Sequence, residues 1–280
     1  MDKFLITGCS GFVARHFLDY LEDNKIRCEV LGLDLDAFQA HRYFKYVDMR
    51  SECVDLLKKE EIERVIFDFQ PKYILHLASF SSVAFSWKNP TISFKNNVNI
   101  FLNLLEVIRE YGLNTRVLSI GSSEEYGNVL PEETPLTEES PLRPLSPYAV
   151  ARVAQEMLSK LYADSFGIDI VITRSFNHIG PGQRDVFVVP SFIRKMLDAK
   201  LAGQADMTML TGNLDIVRDF LDVRDVVKAY YLLLKKGKKG EVYNICSGNP
   251  TKLQEIISIA SEIIDIDVHT EMSASLVRPN

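Results

Sequence analysis

The run Lys3 to Thr7, followed at once by Gly8-Cys9-Ser10-Gly11-Phe12-Val13-Ala14, narrows the fold more than any other stretch of the chain. It reads as a short buried strand, a glycine turn and a helix continued through Phe17, Leu18 and Leu21. In this spacing Gly8 permits the tight turn, Gly11 lets backbone approach a pyrophosphate, and the small Ala14 lets the helix pack close to the sheet. A second apolar strand, Glu29 to Leu33, ends in Asp34, twenty residues past Ala14. An acidic side chain there can accept hydrogen bonds from an adenosine ribose and repel a 2′-phosphate. The pattern points to a dinucleotide and favours NAD(H) over NADP(H), although Asp36 nearby leaves that choice open. Asp48 closes the next short run, Phe44 to Val47, where it would meet the adenine edge or cap a helix from Ser51.

The alternation continues. Helix Glu52 to Phe69 precedes strand Tyr73 to Leu77, helix Thr91 to Glu110 precedes strand Arg116 to Ile120, and helix Pro147 to Phe166 precedes strand Asp169 to Thr173. Such a series predicts an α/β fold of Rossmann type, a doubly wound parallel sheet covered on both faces, with ligands at the carboxyl ends of the strands. Those ends carry His76-Leu77-Ala78-Ser79, Gly121 to Gly127 and Ser175 to Gly182, each polar or glycine-rich. After Gly182 the character changes. Helix Phe187 to Ala199, strand Thr208 to Leu210 and the run Arg218 to Asp225 predict a smaller, mixed α/β substrate lobe over 175–280. The dinucleotide domain is expected over 1–174, with residues of about 212–248 returning to it.

Ser146 and Pro147 are a helix-start signal, a capping hydroxyl followed by the imino acid suited to the first helical position. Tyr148 then lies in the first turn and Arg152 one turn on, so that phenol and guanidinium project the same way and a fixed positive charge favours phenolate. Such a tyrosine can act as an acid or base.

With 46% hydrophobic and 25% charged residues among 280, the chain can bury a large core. A formal charge of -6 argues against nucleic acid or an anionic membrane as partner, since both demand clustered positive charge. Four scattered cysteines without metal-ligand spacing predict no metal site and suit a reducing cytoplasm. The first strand starts within three residues, with no basic leader and no long apolar run, which predicts neither signal peptide nor membrane span.

The runs IGSSEEYG (Ile120 to Gly127), SPYAVA (Ser146 to Ala151), FNHIGPGQ (Phe176 to Gln183), FVVPSF (Phe187 to Phe192) and GNLDIVRDFLDVRDVVKAY (Gly212 to Tyr230) add to the glycine turn. Together they resemble the extended short-chain dehydrogenase/reductase family of nucleotide-sugar epimerases, dehydratases and reductases, the third and fifth being closest to its GDP-hexose enzymes. The resemblance implies a homodimer that reduces the 4-keto group of GDP-4-dehydro-6-deoxy-D-mannose to GDP-D-rhamnose. By position it makes Ser122 the hydroxyl holding the reacting oxygen, Tyr148 the acid or base, and Arg152 and Glu124 further members of the catalytic set. It places Gly8, Ser10, Gly11, Phe12, Val13, Asp34, Asp48, Leu77, Ala78, Asn97, Tyr148 and Arg152 against the cofactor. Around the nucleotide sugar it places Ser81, Ser82, Ser123, Asn177, Val189, Lys195, Arg218 and Arg278.

Plainer roles exist for several of these. Arg218 could pair with Asp219 or Asp222, Ser122 and Ser123 could form a strand-end turn, His178 reads as structural, and Trp87 reads as packing near the cleft. Glu124, two residues after Ser122, also suits GDP-mannose 4,6-dehydration, where a glutamate helps expel water. Two departures from the family stand out. Position 152 holds arginine where the family has lysine, which keeps the charge but gives up proton relay and makes a silent NAD- or nucleotide-sugar-binding protein a reading from another class. The family also continues past Arg278-Pro279, so the substrate lobe is expected to be incomplete.

Overall fold

In the computed structural model, which describes residues 1–276, the first half of the chain runs β1 (Asp2–Thr7), α1 (Phe12–Asp23), β2 (Cys28–Asp34), β3 (Val47–Cys53), α2 (Lys59–Phe69), β4 (Tyr73–His76), α3 (Val83–Lys88), α4 (Pro90–Glu110) and β5 (Arg116–Ser122). There follow α5 (Pro147–Ser165), β6 (Asp169–Ser175), β7 (Asn177–Ile179), α6 (Val188–Leu201), β8 (Asp206–Thr211), β9 (Val217–Asp222) and α7 (Val223–Lys236). The described chain ends with β10 (Val242–Ile245), β11 (Pro250–Lys252), α8 (Leu253–Ile264) and β12 (Asp267–Met272). It divides into two compact units, Met1–Phe176 with Val223–Ile245, and Asn177–Asp222 with the described residues from Cys246 onward.

The first unit is a seven-stranded sheet in the order β10-β6-β5-β4-β1-β2-β3, every neighbouring pair parallel. Its central strands are apolar on both sides because helices cover both faces. Ile62, Ile66, Phe69, Phe101, Leu104 and Leu105 from α2 and α4 pack with Leu5, Leu31, Ile74 and Val117 of the sheet. On α1 and α7, Phe17, Leu18, Leu21, Val226, Val227, Tyr230 and Leu234 are buried as well. The strand order reverses between β1 and β4, the point at which open α/β sheets bind ligands beyond the carboxyl ends of their strands.

One sequence expectation fails here. The apolar run Phe44 to Val47 is not a strand; β3 begins at Val47 and carries the polar DMRSEC, so α2 starts at Lys59 and not at Glu52. Two contacts decide it. The Glu22 carboxylate accepts the amides of Lys45, Tyr46 and Val47, and β3 then pairs with β2 from Cys28↔Val47 to Asp34↔Cys53. Ladder pairing at a sheet edge outweighs the low strand propensity of the residues. Asp48 is therefore an exposed strand residue, and the helix-capping role is excluded.

In the second unit β11, β9 and β7 form a three-stranded sheet, β12 pairs with β8, and α6 packs with α8. Its core holds Phe192, Met196, Met209, Leu253, Ile257 and Ile266.

Candidate active site

Gly8 has φ +70, and a Cβ placed on it would stand 2.9 Å from Ala78 N, so both the turn and the close approach of the segment after β4 require glycine. That segment is tied to β1 through Thr7, whose hydroxyl accepts the amides of Leu77 (3.1 Å) and Ala78 (3.2 Å). The Thr7 proton is then left for His76 Nδ1, 2.9 Å away. Burial pushes this imidazole down to about 3, so it stays neutral. Asn97, expected at the cofactor, is buried in α4 and clamps the same segment, accepting from Phe80 N at 2.8 Å and donating to Phe80 O at 3.1 Å. Asp34 spans the glycine turn: one carboxylate oxygen accepts Ser10 N–H at 2.9 Å and the other accepts Leu35 N–H at 2.8 Å. Helix α1 begins after Gly11 with no side-chain cap and no acid in its first turn, so the amides of Phe12 and Val13 face the turn without a side-chain acceptor.

At the end of β5, Ser122 caps the 3-10 turn Ser123–Tyr126, its hydroxyl accepting Glu124 N–H at 3.2 Å, and Glu125 returns the bond by accepting Ser122 N–H at 2.7 Å. The turn-forming role read from the sequence for Ser122 is thus present. Glu124 and Ser123 are half-buried in that turn. Gly121 is needed beneath it, because a Cβ there would collide with Glu125 Oε1 and Thr173 O.

Ser146 caps α5 through Ala149 N–H, as its sequence predicts. Tyr148 and Arg152 meet: Arg152 Nε donates to the Tyr148 oxygen at 3.1 Å, and both residues are buried. Arginine has only donors, so the phenol keeps its own proton for another acceptor. Arg152 Nη1 reaches across to β5, bonding Ile120 O at 2.9 Å and Gln155 Oε1 at 2.6 Å. The pair is thereby fixed to the strand that carries Ser122.

The remaining sequence candidates are more dispersed. Ser82 caps α3 through Phe85 N–H, and Ser81 is exposed just before it. Asn177, Val189, Lys195 and Arg218 lie in the second unit. Asn177 is in β7 opposite Phe220, Val189 is buried in α6, and Lys195 is exposed on that helix. Arg218 is exposed and donates to Val217 O, while Asp219 is occupied by the amides of Ser247 and Gly248. Arg278 lies outside the described residues. His178 is held in β7, where burial pushes its imidazole down to about 4. Trp87 is not packed in a core: it is 49% exposed and lines an open groove of about 840 Å³ with Pro90, Phe94, Leu145, Pro147 and Val150.

Sequence reasoning missed three polar groups under the site. Gln155 is one, three residues after Arg152 on the same helix face, a spacing that makes the two neighbours but does not by itself mark the glutamine as functional. The second is the fully buried Arg174, whose guanidinium grips both oxygens of Glu156 at 2.9 and 2.8 Å and also donates to the Tyr126 hydroxyl at 3.0 Å. The third is Glu125, fully buried, with Oε2 unpaired; desolvation, reinforced by Glu156 and opposed by Arg152 and Arg174, pushes its carboxyl up to about 8. Its folded value lies above the unfolded one, so the fold binds the extra proton, and stability falls as pH rises from about 4.5 to about 8. Glu125→Gln keeps the acceptor for Ser122 N–H and removes the titration. It should raise the melting temperature at pH near 9 and change it little at pH near 5; equal shifts at both would show that Glu125 does not titrate in this range.

A family model described as the NAD dependent epimerase/dehydratase family matches residues 4–246. The chain belongs to that family. Among similar epimerase/dehydratase members, the GDP-6-deoxy-D-mannose reductase of Pseudomonas aeruginosa is 33% identical over 276 residues, 99% of this chain and 84% of the relative. The GDP-mannose 4,6-dehydratase of Vibrio cholerae is 28% identical, covering 94% and 72%. A structure of RMD from Pseudomonas aeruginosa complexed with NADPH superposes with TM-score 0.83 at 30% identity, covering 100% of this chain and 88% of that one. Thermus thermophilus UDP-glucose 4-epimerase in complex with NAD gives 0.84 at 28%, covering 98% and 88%.

This family member is accordingly an NAD(P)-dependent oxidoreductase, and the relatives it resembles are named as enzymes of nucleotide sugars. The residues present fit a nicotinamide dinucleotide. Gly8 leaves the backbone bare, the uncapped start of α1 offers amides to a diphosphate, and Asp34 stands at the end of β2 beside the turn. Among the described residues no group of acidic, histidine or cysteine side chains could hold a metal ion, and no helix is long and apolar enough to cross a membrane.

Proposed function

We propose that this enzyme reduces the 4-keto group of GDP-4-dehydro-6-deoxy-D-mannose to the alcohol, giving GDP-D-rhamnose. The observation that carries this reading is the Tyr148–Arg152 bond at 3.1 Å, in a chain that shares 33% identity with a GDP-6-deoxy-D-mannose reductase. When bound, NAD(P)H supplies the hydride that adds to sugar carbon 4. Tyr148 gives its phenolic proton to the carbonyl oxygen as that oxygen gains charge, a transfer its geometry favours because Arg152 cannot take the proton. Arg152 keeps a positive charge beside the phenolate that remains. The Ser122 hydroxyl donates to the reacting oxygen while its lone pair stays on Glu124 N–H. From the family resemblance alone, Arg218 and Arg278 are proposed as charge-assisted donors to the diphosphate, and Asn177, Val189, Lys195, Ser81, Ser82 and Ser123 as further contacts of the nucleotide sugar.

NADH is the preferred reductant in this reading, because the Asp34 carboxylate would repel a 2′-phosphate. The enzyme works as a homodimer in the cytoplasm, where its four free cysteines stay reduced. Exposed Ile92 and Phe94 on α4 with Val150, Met157 and Leu161 on α5, beside the Trp87 groove, offer an apolar face for the second copy.

The test is to incubate the protein separately with GDP-mannose and with its 4-keto-6-deoxy derivative, each with NADH and with NADPH. A reductase consumes only the keto sugar, oxidising one cofactor per sugar, faster with NADH. Consumption of GDP-mannose with no net change in cofactor would make the protein a dehydratase, with Glu124 in the water-expelling role.

A further inference from the structure

Beneath Arg152 lies a closed chain of buried polar groups that the proposed reaction does not use. Gln155 Nε2 donates to Ser119 Oγ at 2.9 Å and to Ile120 O at 3.2 Å. The Ser159 hydroxyl is directed at both Gln155 O, at 2.8 Å, and Ser119 Oγ, at 3.0 Å, and Ser119 Oγ accepts from it. Gln155, Ser119 and Ser159 are each at most 1% exposed. Only one orientation of the amide satisfies them: turned over, its NH₂ would face the Arg152 donors and its oxygen the Ile120 carbonyl. The network therefore presents one fixed acceptor, Oε1, to Arg152.

That acceptor decides how the guanidinium stands. Nε is on Tyr148, and the two hydrogens on Nη1 are on Ile120 O and Gln155 Oε1. The two on Nη2 make no bond within the described residues, and Nη2 is not among the polar atoms sealed from solvent. A guanidinium is a rigid plane, so fixing three donors fixes the direction of the other two. We infer that Gln155 is a positioning residue that lets arginine serve at position 152, by binding its inner amino group so that Nη2 alone is presented to the nicotinamide nucleotide. The inference rests on the proposed placing of Arg152 at the cofactor, and not on the identity of the sugar.

A double-mutant cycle on cofactor affinity tests it, because it needs no substrate. NADH binding, followed by nicotinamide fluorescence, is measured for the protein as it stands, Gln155→Leu, Arg152→Lys and the double variant. Gln155→Leu should weaken binding about tenfold, the low end for a charge-assisted hydrogen bond. In the Arg152→Lys background, where a single ammonium needs no second acceptor to orient it, the same change should cost less than about twofold. Equal losses in both backgrounds would make Gln155 a merely structural residue, and no loss in either would remove it from the site; both results overturn the inference. Should Gln155→Leu fail to fold, Ser119→Ala loosens the far end of the amide without touching Arg152. It should weaken NADH binding about threefold when arginine is present and leave it unchanged in the Arg152→Lys background. An unchanged affinity with arginine in place overturns the inference equally.

Discussion

Tyr148→Phe is expected to lower turnover of the 4-keto sugar by about 10²–10⁴-fold, the usual worth of a positioned general acid, with cofactor affinity nearly unchanged. The ring is buried at the start of α5 and stacks under the Arg152 guanidinium, whose centre is 5.1 Å from the ring centroid, so phenylalanine keeps the packing and loses only the hydroxyl. The change leaves Arg152 Nε without its acceptor, but Ile120 O and Gln155 still hold Nη1. Steady-state rates and NADH titration on the same preparation separate the two effects. A variant retaining most of its activity would move proton donation to another group.

Glu156→Ala should cost roughly 3–5 kcal/mol of stability, a large part of what a domain has. Arg174 is 2% exposed, and its two bonds to Glu156 are what offset its desolvation; alanine leaves the guanidinium buried with the Tyr126 hydroxyl and Glu138 O alone. The partner's influence is visible in Glu156 itself: burial raises its carboxyl, yet the bonds from Arg174 and Lys160 leave it below the usual carboxylate range. Replacing both residues, Glu156→Leu with Arg174→Met, removes the stranded charge and should recover much of the loss. Urea midpoints of the two variants decide the matter, since a single variant as stable as the parent would show that the pair carries no net stability.

The sheet was legible in the sequence because its central strands are buried on both faces and read as apolar runs, and because α1 and α5 announce their starts through Gly11 and Ser146-Pro147. β3 was not legible: it is a polar edge strand, and what places it is pairing with β2 and the reach of Glu22, neither of which is local. The same holds for the short strands β7 and β11 of the second unit, each three residues long and set by β9 between them. In the candidate site, Tyr148 and Arg152 were readable because they share one helix face. Gln155 was equally readable by spacing, but glutamine on a helix carries no chemical signal until Ser119 and Ile120 are brought against it. Arg174 and Glu125 could not be read at all, since their importance lies in burial and in partners supplied by other elements.

In the proposed reaction a nicotinamide hydride reaches sugar carbon 4 while Tyr148 protonates the oxygen. The most direct measurement uses NADH carrying deuterium at its transferable position, with the GDP-linked 4-keto-6-deoxy sugar, and locates the label in the product by NMR. One deuterium should appear on carbon 4 for each cofactor oxidised. A sugar changed without label, or label at carbon 5 or 6, would contradict it.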